Sequence, residues 1–160
     1  MTEAENLRTR IRRAFTDVTL GGGVTLREAR VLDRYGSFRE RERARALDFQ
    51  GPWWEVSGED LEMHRPFSFL DAVGFAYYAP AYLTHVLSHD PLYATDTADT
   101  VLLGLWPRYS VARFGGITAE QAAVIAAYLE YAETQDPILE CRAAVYTDAW
   151  VYWARRAQHP

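Results

Sequence analysis

The amino-acid sequence predicts an all-α protein, a single domain over residues 1–160 built as an irregular bundle of seven or eight helices. Apolar residues recur at the spacing of helix faces, and no segment alternates apolar and polar residues over a convincing length. Ser or Thr stands three residues before Glu or Gln at several points, a signature of helix starts. A chain of 160 residues with 49% hydrophobic composition can bury one sizeable core.

Three helices are predicted before the first proline. The first carries an apolar stripe at Leu7, Ile11, Ala14, Phe15 and Val18. Gly21–Gly23 ends it, because three glycines lose too much backbone entropy to stay helical. Thr25 and Glu28 open the second helix and Ser37 and Glu40 the third, each pair as a capping box.

The middle of the chain begins at the break formed by Gly51-Pro52. A short helix from about Ser57 to His64 is predicted next. In the aromatic segment Phe69–Leu83, Asp71 is expected to cap a first turn. Gly74 would end or bend that turn, and Pro80 would begin the next helix or kink it.

Three more elements follow. Residues 96–106 form one predicted helix, and Thr118 with Gln121 opens another, whose residues 122–129 are apolar on nearly every side and therefore expected to be central. Asp136 is expected to cap the last helix, with Pro137 at its first position. The apolar stripe of that helix is Leu139, Ala143, Tyr146, Trp150, Trp153 and Ala157.

Charge and cysteine content indicate which partners and which cellular compartment to expect for this protein. All 17 basic residues are arginine, and the net charge of −5 comes wholly from residues 66–160, which hold 5 arginines against 10 acidic residues. A GC-rich bacterial genome is our preferred explanation of the arginine usage, and selection for bidentate contacts to anions is the alternative. An acidic chain is not expected to bind nucleic acid directly. The single cysteine, Cys141, indicates a reducing compartment and reads as a buried structural thiol. Without a signal peptide or an apolar run long enough for a membrane span, we expect a cytoplasmic protein.

His85 and His89 are the candidate metal ligands. At i and i+4 on a helix, both imidazoles would lie on one face and could share an ion. The glutamate of the His-Glu-x-x-His motif is absent, so a third ligand would have to come from His64, His159 or a carboxylate elsewhere. Our preferred interpretation is that the pair lies near a helix end without a metal, and no cofactor is predicted.

Other residues are weaker candidates for function. The alternating run from Arg39 to Arg45 reads as a solvated helix face with Glu40–Arg43 and Glu42–Arg45 pairs, or alternatively as a contact for a phosphate or a carboxylate. Adjacent tryptophans cannot both face one core, so one of Trp53 and Trp54 is expected to be exposed as an interface anchor. The candidate ligand- or partner-binding residues are Trp53, Trp54, Asp71, Tyr77, Tyr78 and Tyr82.

Several motifs together resemble an uncharacterised family of small bacterial proteins, a domain of unknown function. The specific one is Phe-Leu-Asp-x-x-Gly-Phe-x-x-Tyr-x-Pro-Ala-Tyr at Phe69–Tyr82. Gly23–Ala29, Asp48–Val56 and Ile117–Gln121 supply weaker matches in the same order. The resemblance implies a single small helical domain and transfers no catalytic residues.

Three functional hypotheses follow, of which the third is a purely structural subunit, which a large apolar surface patch around Trp53 and Trp54 would favour. The leading one is a non-enzymatic bacterial interaction protein, of the immunity or toxin-neutralising kind, whose acidic second part would complement a basic toxin or nuclease. The alternative is a small enzyme or a ligand- or metal-binding domain built around Asp71, Tyr77, Tyr78, His85 and His89. That alternative requires these side chains to converge on one pocket.

Overall fold

The structure, a computed structural model, describes residues 1–159. Within these residues the chain forms eight α-helices and no β-strand, which confirms the predicted all-α class. The helices are α1 (Glu3–Ala14), α2 (Leu26–Asp33), α3 (Phe38–Leu47), α4 (Gly58–Met63), α5 (Ala72–Leu87), α6 (Thr97–Leu105), α7 (Ala119–Gln135) and α8 (Leu139–Gln158). Two 3₁₀ turns, Trp53–Glu55 and Ala112–Phe114, complete the secondary structure.

The helix starts follow the local signals in the sequence. Capping boxes open α2 at Thr25, α3 at Ser37 and α7 at Thr118, as predicted. A fourth opens α1, where Thr2 and Glu5 satisfy each other's backbone N–H groups. These starts are readable from sequence because both partners lie three residues apart.

The central element is α5, most of whose residues are buried. It is one continuous helix with Pro80 inside, so the predicted bend at Gly74 is wrong. Asp71 caps it, and the carboxylate oxygen Oδ1 accepts from the N–H groups of Gly74 (2.8 Å) and Val24 (3.0 Å). A Cβ at Gly74 would lie 2.4 Å from the Val24 carbonyl oxygen. Glycine is therefore needed for the close approach of a loop, and burial along the helix offsets the cost of about 3 kcal/mol for an internal proline.

Around α5 the other helices form one core. The hairpin of α7 and α8 packs most extensively, and α1 contacts both α7 and α5. Phe114 connects α5 to α8, because its ring centroid lies 4.9 Å from that of Phe75 on α5 and 4.7 Å from that of Trp153 on α8. The predicted burial of residues 122–129 on α7 is confirmed except at exposed Ala123 and half-buried Ala127, although α5 is the more enclosed helix.

The last helix begins later than predicted. Asp136 ends α7 instead of capping α8, and its carboxylate accepts from the Ile138 N–H (2.9 Å) and the Arg142 guanidinium (2.8 Å). Residues 136–138 connect the two helices. Because Asp136 and Pro137 lie in this connection, α8 starts only at Leu139.

Two residues of α8 are more exposed than predicted. Tyr146, Ala149 and Trp153 are its buried residues. Cys141 is exposed, because it lies about 140° around the helix from Tyr146. Trp150 is 40% exposed at the edge of the hairpin, where its indole N–H donates to Glu130 (2.7 Å). The predicted burial of both residues is therefore wrong.

The arginine-rich helix α3 is anchored to its neighbour. Arg45 lies 2.8 Å and Arg41 3.4 Å from the buried Glu28 carboxylate on α2. A second Arg45 nitrogen donates to the Gly21 carbonyl at 2.6 Å. The predicted pairs Glu40–Arg43 and Glu42–Arg45 are wrong: among the described residues Arg45 pairs with Glu28 on the neighbouring helix, and Glu40 lies 3.4 Å from Arg34. None of the helices in residues 1–159 combines the length and apolarity of a membrane span.

Candidate metal centre

The three candidate tyrosines of α5 bind main-chain groups. Their partners are the carbonyl of Gly51 for Tyr77 (2.7 Å), the N–H of Leu26 for Tyr78 (3.4 Å) and the carbonyl of His64 for Tyr82 (3.0 Å). Burial raises the pKa of Tyr77 to about 12 and raises the pKa values of the other two further. Their hydroxyls thus tie α5 to surrounding loops. They do not meet Asp71, which caps the helix start, in one pocket.

Trp53 and Trp54 point in different directions. Trp53 is 1% exposed, and its indole N–H donates to the Phe15 carbonyl at 2.9 Å. Trp54 is 40% exposed, and the Arg12 guanidinium lies 3.2 Å from its ring centroid. The expectation that one of the pair is exposed is confirmed.

His85 and His89 lie together at the C-terminal end of α5, and Glu62 on α4 joins them. The Glu62 atom Oε1 lies 3.0 Å from His85 Nε2 and 3.6 Å from His89 Nε2. One donor atom from each of the three residues falls within 4.8 Å of the others. Metal–ligand distances of about 2.0–2.2 Å place neighbouring donors roughly 3 to 3.5 Å apart, close to the two separations seen here.

The end of α5 fixes the orientation of His89. The helix ends at Leu87, and the His89 backbone N–H donates to the Val86 carbonyl at 3.1 Å, so the chain continues its turn past the helix. His89 Nδ1 donates to the His85 carbonyl at 2.9 Å. Because a carbonyl only accepts, the proton must be on Nδ1. In the neutral ring this leaves the Nε2 lone pair facing Glu62, as in metal sites where the second ring nitrogen is held by a backbone carbonyl.

The start of α4 fixes the position of His85. Its imidazole packs directly against Gly58, where a Cβ would lie 2.7 Å from the ring atom Cε1 and 3.1 Å from Nδ1. Glycine at this helix start therefore leaves the space that the ring occupies. Glu62 is four residues further along the same helix, so α4 both seats His85 and supplies the carboxylate.

The electrostatic setting favours a cation. The carbonyl end of a helix carries a partial negative charge, and both histidines lie in or just after the last turn of α5. Glu62 adds a full negative charge. Side chains of His85 and His89 are 17% and 24% exposed and that of Glu62 41%, so the cluster is open to solvent on one side.

A family model matches residues 3–157, almost the whole chain. The chain belongs to DUF6714, a family of unknown function. No curated protein and no solved structure gives a significant match. The uncharacterised domain implied by the resemblance is thereby confirmed, whereas the bacterial origin and the motif stay predictions.

Sequence reasoning found two of the three members of this cluster in the DUF6714 chain. His64, one proposed third ligand, is buried beneath α5 and accepts the Tyr82 hydroxyl through its carbonyl. Glu62 was missed because it lies 23 residues before His85, on a helix whose orientation only packing determines. The only local feature that distinguishes Glu62 is its position in a short acidic helix, α4, which is followed by Pro66.

Proposed function

We propose that this DUF6714 protein binds a divalent transition-metal ion through Glu62, His85 and His89. The observation that carries the proposal is the approach of three donor atoms, from two helices, to within 4.8 Å of one another. The hydrogen bond from His89 Nδ1 to a backbone carbonyl supports it, because it directs Nε2 towards the other two donors.

The donor set indicates the kind of metal and site. Imidazole ligands suit zinc, nickel, copper and iron, and two histidines with one glutamate are the protein ligands of some catalytic zinc sites. Three protein ligands leave at least one coordination position for water or a substrate. A bound ion would supply a Lewis acid there, while the helix end and Glu62 would compensate its charge.

Calorimetric titration with Zn²⁺ and Ni²⁺ tests the proposal. We expect one ion per chain for the wild-type protein and loss of binding in the His85→Ala/His89→Ala variant. Glu62→Gln, which keeps the shape of the side chain but removes its charge, should weaken binding at least about tenfold. A free Zn²⁺ concentration a hundredfold above Kd should stabilise the fold by about 2.7 kcal/mol.

His159→Ala provides the matched control, because His159 is an exposed histidine of the helix α8 terminus and not part of the cluster. It should bind zinc like the wild type. Stoichiometric binding that survives the loss of both His85 and His89 would contradict the proposal, as would the absence of binding at millimolar zinc.

Exposure of Trp54 favours a second candidate function, binding of a protein partner. The indole is 40% exposed, and the stacked Arg12 guanidinium orders it as a rigid aromatic anchor of the kind that dominates interfaces. We propose that a bacterial partner, a basic toxin or nuclease, uses this anchor. The net negative charge of residues 66–160 would accelerate the association of such a partner.

Substitution of Trp54 and Trp150, which are equally exposed, distinguishes specific binding at Trp54 from non-specific hydrophobic binding. Trp54→Ala should weaken capture of a basic nuclease by at least tenfold, whereas Trp150→Ala, equally exposed on α8, should not. Equal loss in both variants, or none in either, would contradict a specific role for Trp54.

A further inference from the structure

We propose that the protein has a second, independent ligand site, a cleft that binds a small organic phosphate. The cleft lies between the segment after α6 and the last turns of α8, and its volume is about 850 Å³. It falls within the usual range for small-molecule sites, about 300–1,000 Å³. Its lining includes Trp106, Arg108, Asp148, Tyr152, Arg155 and Arg156.

The charge of the cleft is opposite to the net charge of residues 66–160, the part of the sequence that forms it. Residues 66–160 hold only 5 arginines against 10 acidic residues, yet three of those arginines, Arg108, Arg155 and Arg156, line this one cleft. Across residues 1–159 none of the three has a carboxylate within 4.0 Å. Asp148 is the one acidic residue of the lining. Three guanidinium groups against one carboxylate suit a ligand with about two negative charges, such as a phosphate ester.

Two of the arginines are held in place by their neighbours. The Arg108 guanidinium lies 4.9 Å from the ring centroid of Trp106 and 5.0 Å from that of Tyr109, so aromatic rings restrict its rotation. Arg156 donates through Nη2 to the Ile117 carbonyl at 3.1 Å. Arg155, one residue earlier, is exposed. Preorganised guanidinium groups lose less entropy when they bind an anion and can donate two parallel hydrogen bonds to it.

The cleft wall also offers surface that can receive an apolar or aromatic body. Trp106, Val151 and Tyr152 belong to the lining, and the Trp106 N–H donates to Asp148 at 3.3 Å, which fixes the indole. A bare inorganic anion would leave this wall uncovered. The combination of a cationic group and aromatic faces therefore favours a phosphate attached to a planar ring, for which a mononucleotide is the simplest probe.

Calorimetry with AMP, adenosine and benzoate tests the assignment. We expect AMP to bind at one site per chain, with adenosine weaker by at least tenfold because it lacks the phosphate. Benzoate, a planar carboxylate, should also be at least tenfold weaker than AMP. Arg108→Gln and Arg155→Gln should each weaken AMP binding about tenfold or more, since a charge-assisted hydrogen bond contributes about 1.5–3 kcal/mol. In a two-dimensional NMR spectrum the indole N–H resonance of Trp106, assigned through Trp106→Phe, should shift on titration.

Both arginines are at the surface, so these variants should fold, and thermal unfolding checks that they do. Arg39→Gln on α3 is the matched control and should bind AMP like the wild type. The His85→Ala/His89→Ala variant should also keep AMP binding, which separates this site from the proposed metal centre. Absence of AMP binding at millimolar concentration, unchanged affinity in both arginine variants, or benzoate as tight as AMP would overturn the proposal.

Discussion

Gly58→Ala separates the fold of this protein from its proposed metal site. The new Cβ would lie 2.7 Å from Cε1 of His85, whereas carbon atoms in contact prefer about 3.5–4.0 Å. The imidazole must therefore retreat by about 1 Å. Metal–ligand distances tolerate only about 0.2 Å, so His85 should be lost as a ligand in its present position. We expect the affinity for Zn²⁺ to fall at least about tenfold.

The same substitution should not weaken the fold. Gly58 is the first residue of α4 and has no left-handed backbone angle, so alanine can adopt its conformation. Removing a glycine there reduces the entropy of the unfolded chain, which stabilises proteins by about 0.4–1 kcal/mol. The displaced atom is at the far end of a side chain that can rotate towards solvent. The metal affinity and the free energy of unfolding should therefore change in opposite directions.

Two measurements decide this prediction: calorimetric titration with Zn²⁺, and thermal unfolding of the metal-free protein. Gly22→Ala is the control, because a Cβ there would have no atom within 4 Å, and it should leave zinc binding unchanged. If Gly58→Ala binds zinc with wild-type affinity, the reasoning about His85 is refuted. If it melts lower, the Gly58→Ala/His85→Ala variant must restore stability, since only the clash would explain the loss.

Three further predictions concern the fold. Glu28→Gln should destabilise the protein by about 2 kcal/mol in chemical denaturation, because it breaks the ion pair with half-buried Arg45, whereas exposed Glu42→Gln should change little. Tyr82→Phe leaves a buried carbonyl without its donor and should cost about 1–3 kcal/mol, seen as a fall in Tm of several degrees; an unchanged Tm would contradict the hydrogen bond. Burial lowers the pKa of His64 from its usual 6.5, so below about pH 6.5 the unfolded chain binds a proton that the folded chain does not, and stability falls as the pH drops. His64→Leu should remove that part of the pH dependence of unfolding, and an identical slope in the variant would contradict it.

Local interactions made much of the fold predictable. The capping boxes at Thr25, Ser37 and Thr118 join residues three apart, so their success depends on nothing outside one turn. The predicted bend at Gly74 is wrong because glycine is needed there for a close contact with a distant residue, Val24. The loop that contains Val24 packs against the helix start. Glycine and proline signals are ambiguous in this way, since a turn and a close packing contact select the same residue.

Two of the three residues of the candidate metal centre were predictable, because only these two are close together in the sequence. His85 and His89 are four residues apart on one chain segment, which brings their rings together whatever surrounds them. Glu62 reaches them only because α4 packs against the end of α5. The arginines of the proposed cleft show the extreme case: Arg108 and Arg155 are almost fifty residues apart, and nothing near either residue indicates the other.

The sequence alone therefore determined the all-α class, the helix starts marked by capping boxes and the spacing of the two histidines. Each depends on interactions within a turn or two of helix, which the order of residues specifies directly. Only the tertiary structure decided which glycine allows close packing, which carboxylate joins the histidines and which arginines share a cleft. Those contacts depend on helix orientations, and burial of the shared core sets these orientations through many weak contacts at once.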